Sequence, residues 1–293
     1  MAIDAPSTTP SLGEPAPFGS TVSQLVWHVV LIAGSIMMAL PLAWLISTSL
    51  KQAGTEFVFP PEWIPSPPIW SNYPTALTKL PFLLYFEHTA IITAAATTGT
   101  ILTAAMAAFG FARIRFWGRD LLFILLLSTL MLPDVVTLVP KYVLFSKLHW
   151  INTYLPLTVP YWFGGGAFNI FLIRQFFMTL PYDLDEAARM DGASNFQVFW
   201  RLLLPLSGPA LATVAIFSLI FHWNDFLGPL IYLNDPKKWT LALGLQGFRD
   251  TYSTQWSLMM AASTTMILPI ILLFFFAQRY FIRGIQLTGL AGR

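Results

Sequence analysis

The chain has 293 residues, 56% hydrophobic and only 10% charged, with a mean hydropathy of +0.64. Soluble domains carry about 25% charged residues, so this composition describes an integral membrane protein, of a length that suits one bundle. A net charge of +2 is too small to suggest nucleic-acid binding, and the lack of cysteine excludes a disulfide or a thiolate metal site.

Residues 1–23 are rich in Pro, Ser, Thr and Ala and hold no Lys or Arg. They are expected to form a disordered tail. A secretory signal needs a basic start and a short apolar core. Neither is present, so the first apolar stretch is expected to stay in the mature protein. Residues 25–50 are the first predicted span, with Pro41 as a possible kink; a helix needs ~20 residues to cross the hydrocarbon. Residues 51–80 form a proline-rich loop in which Trp63, Trp70 and Tyr73 suit the membrane–water boundary. It is expected to be an interfacial lid.

Residues 83–112 are the second predicted span, dense in Ala, Thr and Gly. Small residues let helices approach closely in a bilayer, so this helix is expected at the centre of the bundle. His88 is expected to be a polar residue at its end. Arg113, Arg115 and Arg119 fill the following turn, and residues 121–144 are the third span, interrupted by Pro133-Asp134 and Pro140. A carboxylate in lipid is costly and faces the bundle or water, which makes Asp134 a candidate for a translocation path.

Residues 155–177 are the fourth span and contain Gly164-Gly165-Gly166. No Gly-Lys-Ser/Thr follows, so the triplet is not a phosphate loop. It is expected to be a bend or a close helix contact, which a membrane tolerates where the backbone is buried in protein or lines a cavity. No nucleotide-binding or catalytic motif occurs, and the four scattered histidines lack metal-ligand spacing. The chain is therefore not expected to be an enzyme or to hold a metal or other cofactor.

Residues 183–205 are a polar segment between apolar ones. Asp183, Asp185 and Glu186 crowd the first turn of a predicted helix, where negative charge meets the positive end of the helix dipole. Asp185 and Arg189 stand four apart and can pair on the surface. Gly192 supplies a left-handed stop. Ser194 and Gln197 have capping-box spacing for a second helix running toward Pro205. The predicted hairpin offers a smooth surface at Ala187, Ala188, Gly192 and Ala193 that lets another protein come close. Residues 206–233 are the fifth span, in which Asn224 and Asp225 are the better path candidates, with hydrogen bonding between helices as the alternative. Residues 256–281 are the sixth span, after an outer loop at 234–254.

The polar segment resembles the EAA loop of the membrane subunits of ATP-binding-cassette (ABC) importers. Glu186-Ala187-Ala188, Gly192 six residues after the glutamate, then Leu202 and Leu204-Pro205 stand at that family's spacing. The resemblance covers nearly all the chain after its first two dozen residues and is nearest the sugar-importer branch, similar to the smaller membrane subunit of the maltose permease. His222-Trp223-Asn224-Asp225-Phe226-Leu227-Gly228-Pro229 resembles a sugar-permease signature, with Asp225 where that family more often has glutamate. His88-Thr89 stands where it usually has Asn-Ser or Asn-Thr. Gln278 to Gly284 closes the last span in a pattern familiar from the family.

The resemblance implies an all-α integral membrane protein: six transmembrane helices over residues 24–293, in the type I importer permease fold with a cytoplasmic EAA coupling hairpin. It implies ATPase coupling through Glu186, Ala187, Ala188, Asp191, Gly192 and Ala193. It implies four kinds of partner: a second permease subunit, an ATPase dimer that carries the ATP and magnesium, an extracytoplasmic solute-binding protein that the last outer loop can reach, and membrane lipid. The expected location is a bacterial or archaeal inner membrane with both termini cytoplasmic. Under the positive-inside rule nine basic residues against seven favour that orientation mildly. The expected solute is a sugar or oligosaccharide, the alternatives being a polyol, a glycerophosphodiester or another solute. An ion-coupled secondary transporter would show internal repeats and ionisable residues in several helices; Asp134 and Asp225 are thin support.

Overall fold

The computed structural model describes residues 21–249 and 254–289. The expected disordered tail lies outside the described residues up to residue 20, and the first helix begins inside its last three. Helices α1 (Thr21–Ser49), α2 (Asn72–Lys79) and α3 (Phe82–Arg113) come first. Then follow α4 (Arg119–Ser128), α5 (Asp134–Lys147), α6 (Leu155–Thr158), α7 (Ala167–Thr179) and α8 (Asp183–Met190). The last group is α9 (Asn195–Gln197), α10 (Leu204–Leu206), α11 (Gly208–Trp223), α12 (Leu227–Tyr232), α13 (Leu241–Gly244) and α14 (Trp256–Gly289). Among the described residues there is no strand beyond one isolated bridge.

Of the six expected spans, three are single helices long and apolar enough to cross a membrane: Ser23–Ser49, Phe82–Arg113 and Trp256–Phe276. The other three are broken. The third bends by 99° between Met131 and Asp134, so it is not one straight rod. Leu132 is extended because the ring of Pro133 excludes the helical conformation from the residue before it. The fourth divides at the glycine triplet, leaving α7 only 13 residues. The fifth meets the hairpin's second arm at 78° near Ser207 and breaks again at Asn224. Pro140 sits within α5 and Pro41 within α1 without ending either helix.

Helix α3 is the centre of the bundle, as its small residues predict. It packs on α7, on α11 and on the turns at residues 155–162. Ala96, Ala104, Ala105 and Ala108 are fully buried, and Gly99 lies so close to Trp162 that a Cβ there would come 2.6 Å from its ring. The main core joins Ala104, Ala105 and Ala108 to Ile173 and Phe177 of α7, Val198, Phe199 and Leu203 of the hairpin, and Val214 of α11. The glycine triplet makes the expected close contact. Gly165 has φ +56, and a Cβ on it would stand 2.6 Å from the backbone nitrogen of Ala104.

The side chains of α1 from Leu25 to Leu42 face outward, which suits a helix whose solvent is lipid. Its far end is held by a polar knot. Lys51 is buried, with its ammonium 4.1 Å from the centre of the Trp44 ring, and donates to the Glu56 carbonyl at 3.1 Å. The Glu56 carboxylate accepts from the backbone N–H and hydroxyl of Ser257 at 3.3 and 3.1 Å. The proline-rich loop thereby fastens α1 to the start of α14.

Candidate coupling hairpin and pathway residues

The hairpin forms where its capping residues predict. Gly192 takes φ +83. Its N–H donates to the Arg189 carbonyl at 3.0 Å, and that of Ala193 to the Ala188 carbonyl at 2.9 Å. These two bonds satisfy carbonyls that the end of α8 would leave unpaired. Ser194 is extended, its Oγ accepts from the Gln197 N–H at 3.3 Å, and Gln197 Oε1 accepts from the Ser194 N–H at 2.8 Å. Replacing Ser194 with alanine is expected to cost this arm about 1 kcal/mol. Hydrogen exchange at the Gln197 amide should speed up about fivefold; unchanged exchange would show that packing alone fixes the arm.

Past the cap, residues 198–203 widen into a π-helix before α10. Pro205 has no N–H to give to the Arg201 carbonyl, and its ring crowds that carbonyl in an ordinary turn. The wider turn turns Val198, Phe199 and Leu203 into the core.

One expectation about this hairpin is corrected. Asp185 does not pair with Arg189; it faces inward and is 2% exposed. Its carboxylate Oδ2 lies 3.3 Å from Nε of Arg113, the last residue of α3. Arg113 Nη2 also donates to the Leu180 carbonyl at 2.9 Å, and its guanidinium stands 4.2 Å from the centre of the Tyr182 ring. The Tyr182 hydroxyl returns a hydrogen bond to the Ala112 carbonyl at 2.9 Å. Burial pushes the Asp185 carboxyl above its usual range, while Arg113 and then Arg189 pull it back. Arg189 instead donates to Asn195 Oδ1 at 3.1 Å across the turn. Helix α3 presents a cation to the inner face of α8, and a buried partner outweighs a screened surface neighbour.

The smooth patch is also smaller than expected. Ala188 and Ala193 are half-buried against the core. Glu186, Ala187, Asp191 and Gly192 remain exposed, with Met190, Phe196 and Trp200 beside them. A cleft of about 600 Å³ lies alongside, lined by Arg113, Arg115, Asp185, Glu186, Arg189 and Asn195 among others.

The pathway candidates lie elsewhere. Asn224 and Asp225 follow α11, about 24 Å along that helix from the hairpin. Asn224 is exposed and donates to the Ile220 carbonyl at 2.8 Å. Asp225 is half-buried, and its Oδ1 accepts from the Gly228 N–H at 3.0 Å, capping the start of α12. The short aspartate arm suits this bond within one turn. Asp134 is exposed as the first residue of α5, just past the sharp bend. His88, expected at a helix end, lies with Nδ1 3.2 Å from the Trp239 carbonyl. The first part of the loop at residues 234–254 is fastened down: Lys238 Nζ donates to the Asn152 carbonyl at 2.7 Å, and the Asp235 N–H to Asn152 Oδ1 at 3.1 Å. Asp250 to Ser253 of that loop lie outside the described residues, as do the side chains of Arg279 to Gly284 in the closing pattern.

Sequence reasoning places Arg113 only in a basic turn and misses its buried contact. A cation at the last residue of an apolar span is a weak signal, and nothing local links it to Asp185. His222, the first residue of the signature stretch, is buried, with its ring centre 4.3 Å from that of Tyr161.

A bundle of broken and continuous apolar helices, with one polar hairpin at its end, defines an integral membrane protein. The comparisons with known proteins agree. Residues 99–287 match the family of the binding-protein-dependent transport system inner membrane component. A probable ABC transporter permease protein of Bacillus subtilis, YurM, is 36% identical over 268 residues, covering 91% of this chain and 88% of the relative. The sn-glycerol-3-phosphate transport system permease protein UgpE of Yersinia pestis is 33% identical over 266 residues, covering 88% and 94%. The fold also matches the solved structure of a bacterial ABC transporter involved in the import of the acidic polysaccharide alginate. That match has a TM-score of 0.78 at 22% identity and covers 91% of this chain and 100% of that one. The chain belongs to the binding-protein-dependent transport system inner membrane component family and is a permease subunit of an ABC importer.

Proposed function

We propose that the hairpin at Asp183 to Leu206 is the handle by which an ATP-hydrolysing partner moves this subunit. Residues 24–293 act as one transmembrane permease domain, with residues 1–23 a cytoplasmic tail and both termini on the ATPase side. Glu186, Ala187, Asp191 and Gly192 dock on the ATPase, with Ala188 and Ala193 setting the backbone beneath them. The observation that carries this reading is the exposed group of Glu186, Met190, Phe196 and Trp200 on a hairpin anchored to the bundle by the buried Asp185, Val198, Phe199 and Leu203. ATP and magnesium reside in the partner. ATP closure of the ATPase shifts the permease outward only to the extent that ATP binds that state more tightly. A second permease subunit completes the path, and a solute-binding protein delivers from outside.

The solute is a hydroxyl-rich small molecule, a sugar or oligosaccharide. The relatives named for sn-glycerol-3-phosphate transport favour a polyol phosphate as the second reading. Asn224, Asp225 and Asp134 are the path residues on this side. The test is uptake into vesicles holding the full complex, with radiolabelled maltose-type oligosaccharides and sn-glycerol-3-phosphate as probes. Uptake is expected with internal ATP and absent with an ion gradient alone. Uptake driven by the gradient would overturn the coupling reading. Asp225→Ala should change the uptake rate while the ATPase stays bound on affinity purification; its release would place Asp225 at the wrong end of the molecule.

A further inference from the structure

The coupling reading gives the hairpin an outer face to be pushed on, but a push must also leave the hairpin. Its inner face meets α3 through the Arg113–Asp185 pair, and both side chains are buried, 0% and 3% exposed. Among the described residues the other ion pair, Arg119–Asp120, joins chain neighbours and is open to solvent. We propose that Arg113 and Asp185 are positioning residues that form a strut, carrying displacement of the coupling hairpin into α3 and along it to the far side of the membrane. This rests on the coupling reading above.

Three observations support the strut. First, the guanidinium is held on three sides at once, by the Asp185 carboxylate, the Leu180 carbonyl and the Tyr182 ring. Apolar packing is non-directional and lets surfaces slide, whereas the guanidinium is aimed by its Nη2 bond to the Leu180 carbonyl and faces Asp185 Oδ2 through Nε as a close charge contact. Second, α3 is one continuous helix of 32 residues, about 48 Å long at the α-helical rise. It reaches from the hairpin to the opposite end of the bundle. Third, that opposite end is bonded as well. Thr89 of α3 accepts from the Leu241 N–H at 2.9 Å, and Gly244 packs on Tyr85 so closely that a Cβ would collide with the ring. The turns at residues 236–244 therefore move with α3. Arg174 of α7 donates to the Phe111 carbonyl at 3.3 Å, so α7 is clasped to the same helix end.

The test uses the complete transporter with its binding protein in nanodiscs. The chain has no native cysteine, so single labels are clean. One spin label is placed at Asp183→Cys on the hairpin and, separately, at Lys237→Cys on the outer turn; both positions are exposed. Each is measured against one label on the second permease, before and after trapping with ATP and vanadate. In the otherwise unchanged protein both distances should shift on trapping. With the isosteric Asp185→Asn the hairpin distance should still shift and the outer one should not. Arg113→Lys keeps the charge but loses the fork, and is expected to behave the same way; it also serves if Asp185→Asn does not assemble. An outer shift that persists in both variants overturns the strut. A hairpin shift lost in both overturns it too, because the pair would then only shape the docking surface. If the hairpin fails to move in the unchanged protein, the coupling reading itself falls, separately from the strut.

Discussion

Exchanging Glu186 for lysine should sharply reduce ATP-driven uptake while leaving the bundle intact. Glu186 is exposed on the first turn of α8 and makes no ion pair among the described residues. Removing it therefore strands no buried partner, and the fold loses only a favourable charge at the helix start, about 0.3–1 kcal/mol. At a protein contact the same change has a larger effect. Reversing a charge that faces a complementary group costs about 2–5 kcal/mol when the pair is desolvated, and 1.4 kcal/mol is already about tenfold in affinity. Uptake into vesicles should fall by about tenfold or more, with unchanged yield and elution of the permease pair in detergent. Normal uptake by the lysine variant would remove the hairpin from the coupling mechanism.

Gly165→Ala is expected to damage the fold more than any other single methyl group added to the glycine triplet. The residue sits at φ +56, where an L side chain costs about 1–2 kcal/mol. Its new Cβ would lie 2.6 to 2.8 Å from Ala104, including backbone atoms of α3 that cannot turn aside. Overpacking of this kind costs about 1–3 kcal/mol. The sum is about 2–5 kcal/mol, enough to lower the thermal unfolding midpoint visibly in nanodiscs. Gly164→Ala is the control, because a Cβ there meets nothing within 4 Å and its φ is not positive. Equal stability of the two variants would mean that the fourth span's break is not held by contact with α3.

What the chain carried in its own order of residues was local. The apolar lengths marked the spans, Gly192 the stop of α8, and Ser194 with Gln197 the start of the next helix. Each rests on interactions within a turn or two, so neighbouring residues suffice to determine it. The small-residue density of α3 likewise foretold a central position, since alanine and glycine permit approach whichever helix arrives. The tertiary structure decided which partner arrived. Asp185 had Arg189 within reach on its own helix, yet pairs with Arg113, because the fold brings α3 to its inner face and a desolvated guanidinium attracts more strongly than one in water. Ala188 and Ala193 turned half inward for the same reason, drawn by the core beneath them. The bends at Pro133 and Gly165 were visible as residues, but their angles follow from where α3 stands, and that is set by packing across the whole bundle.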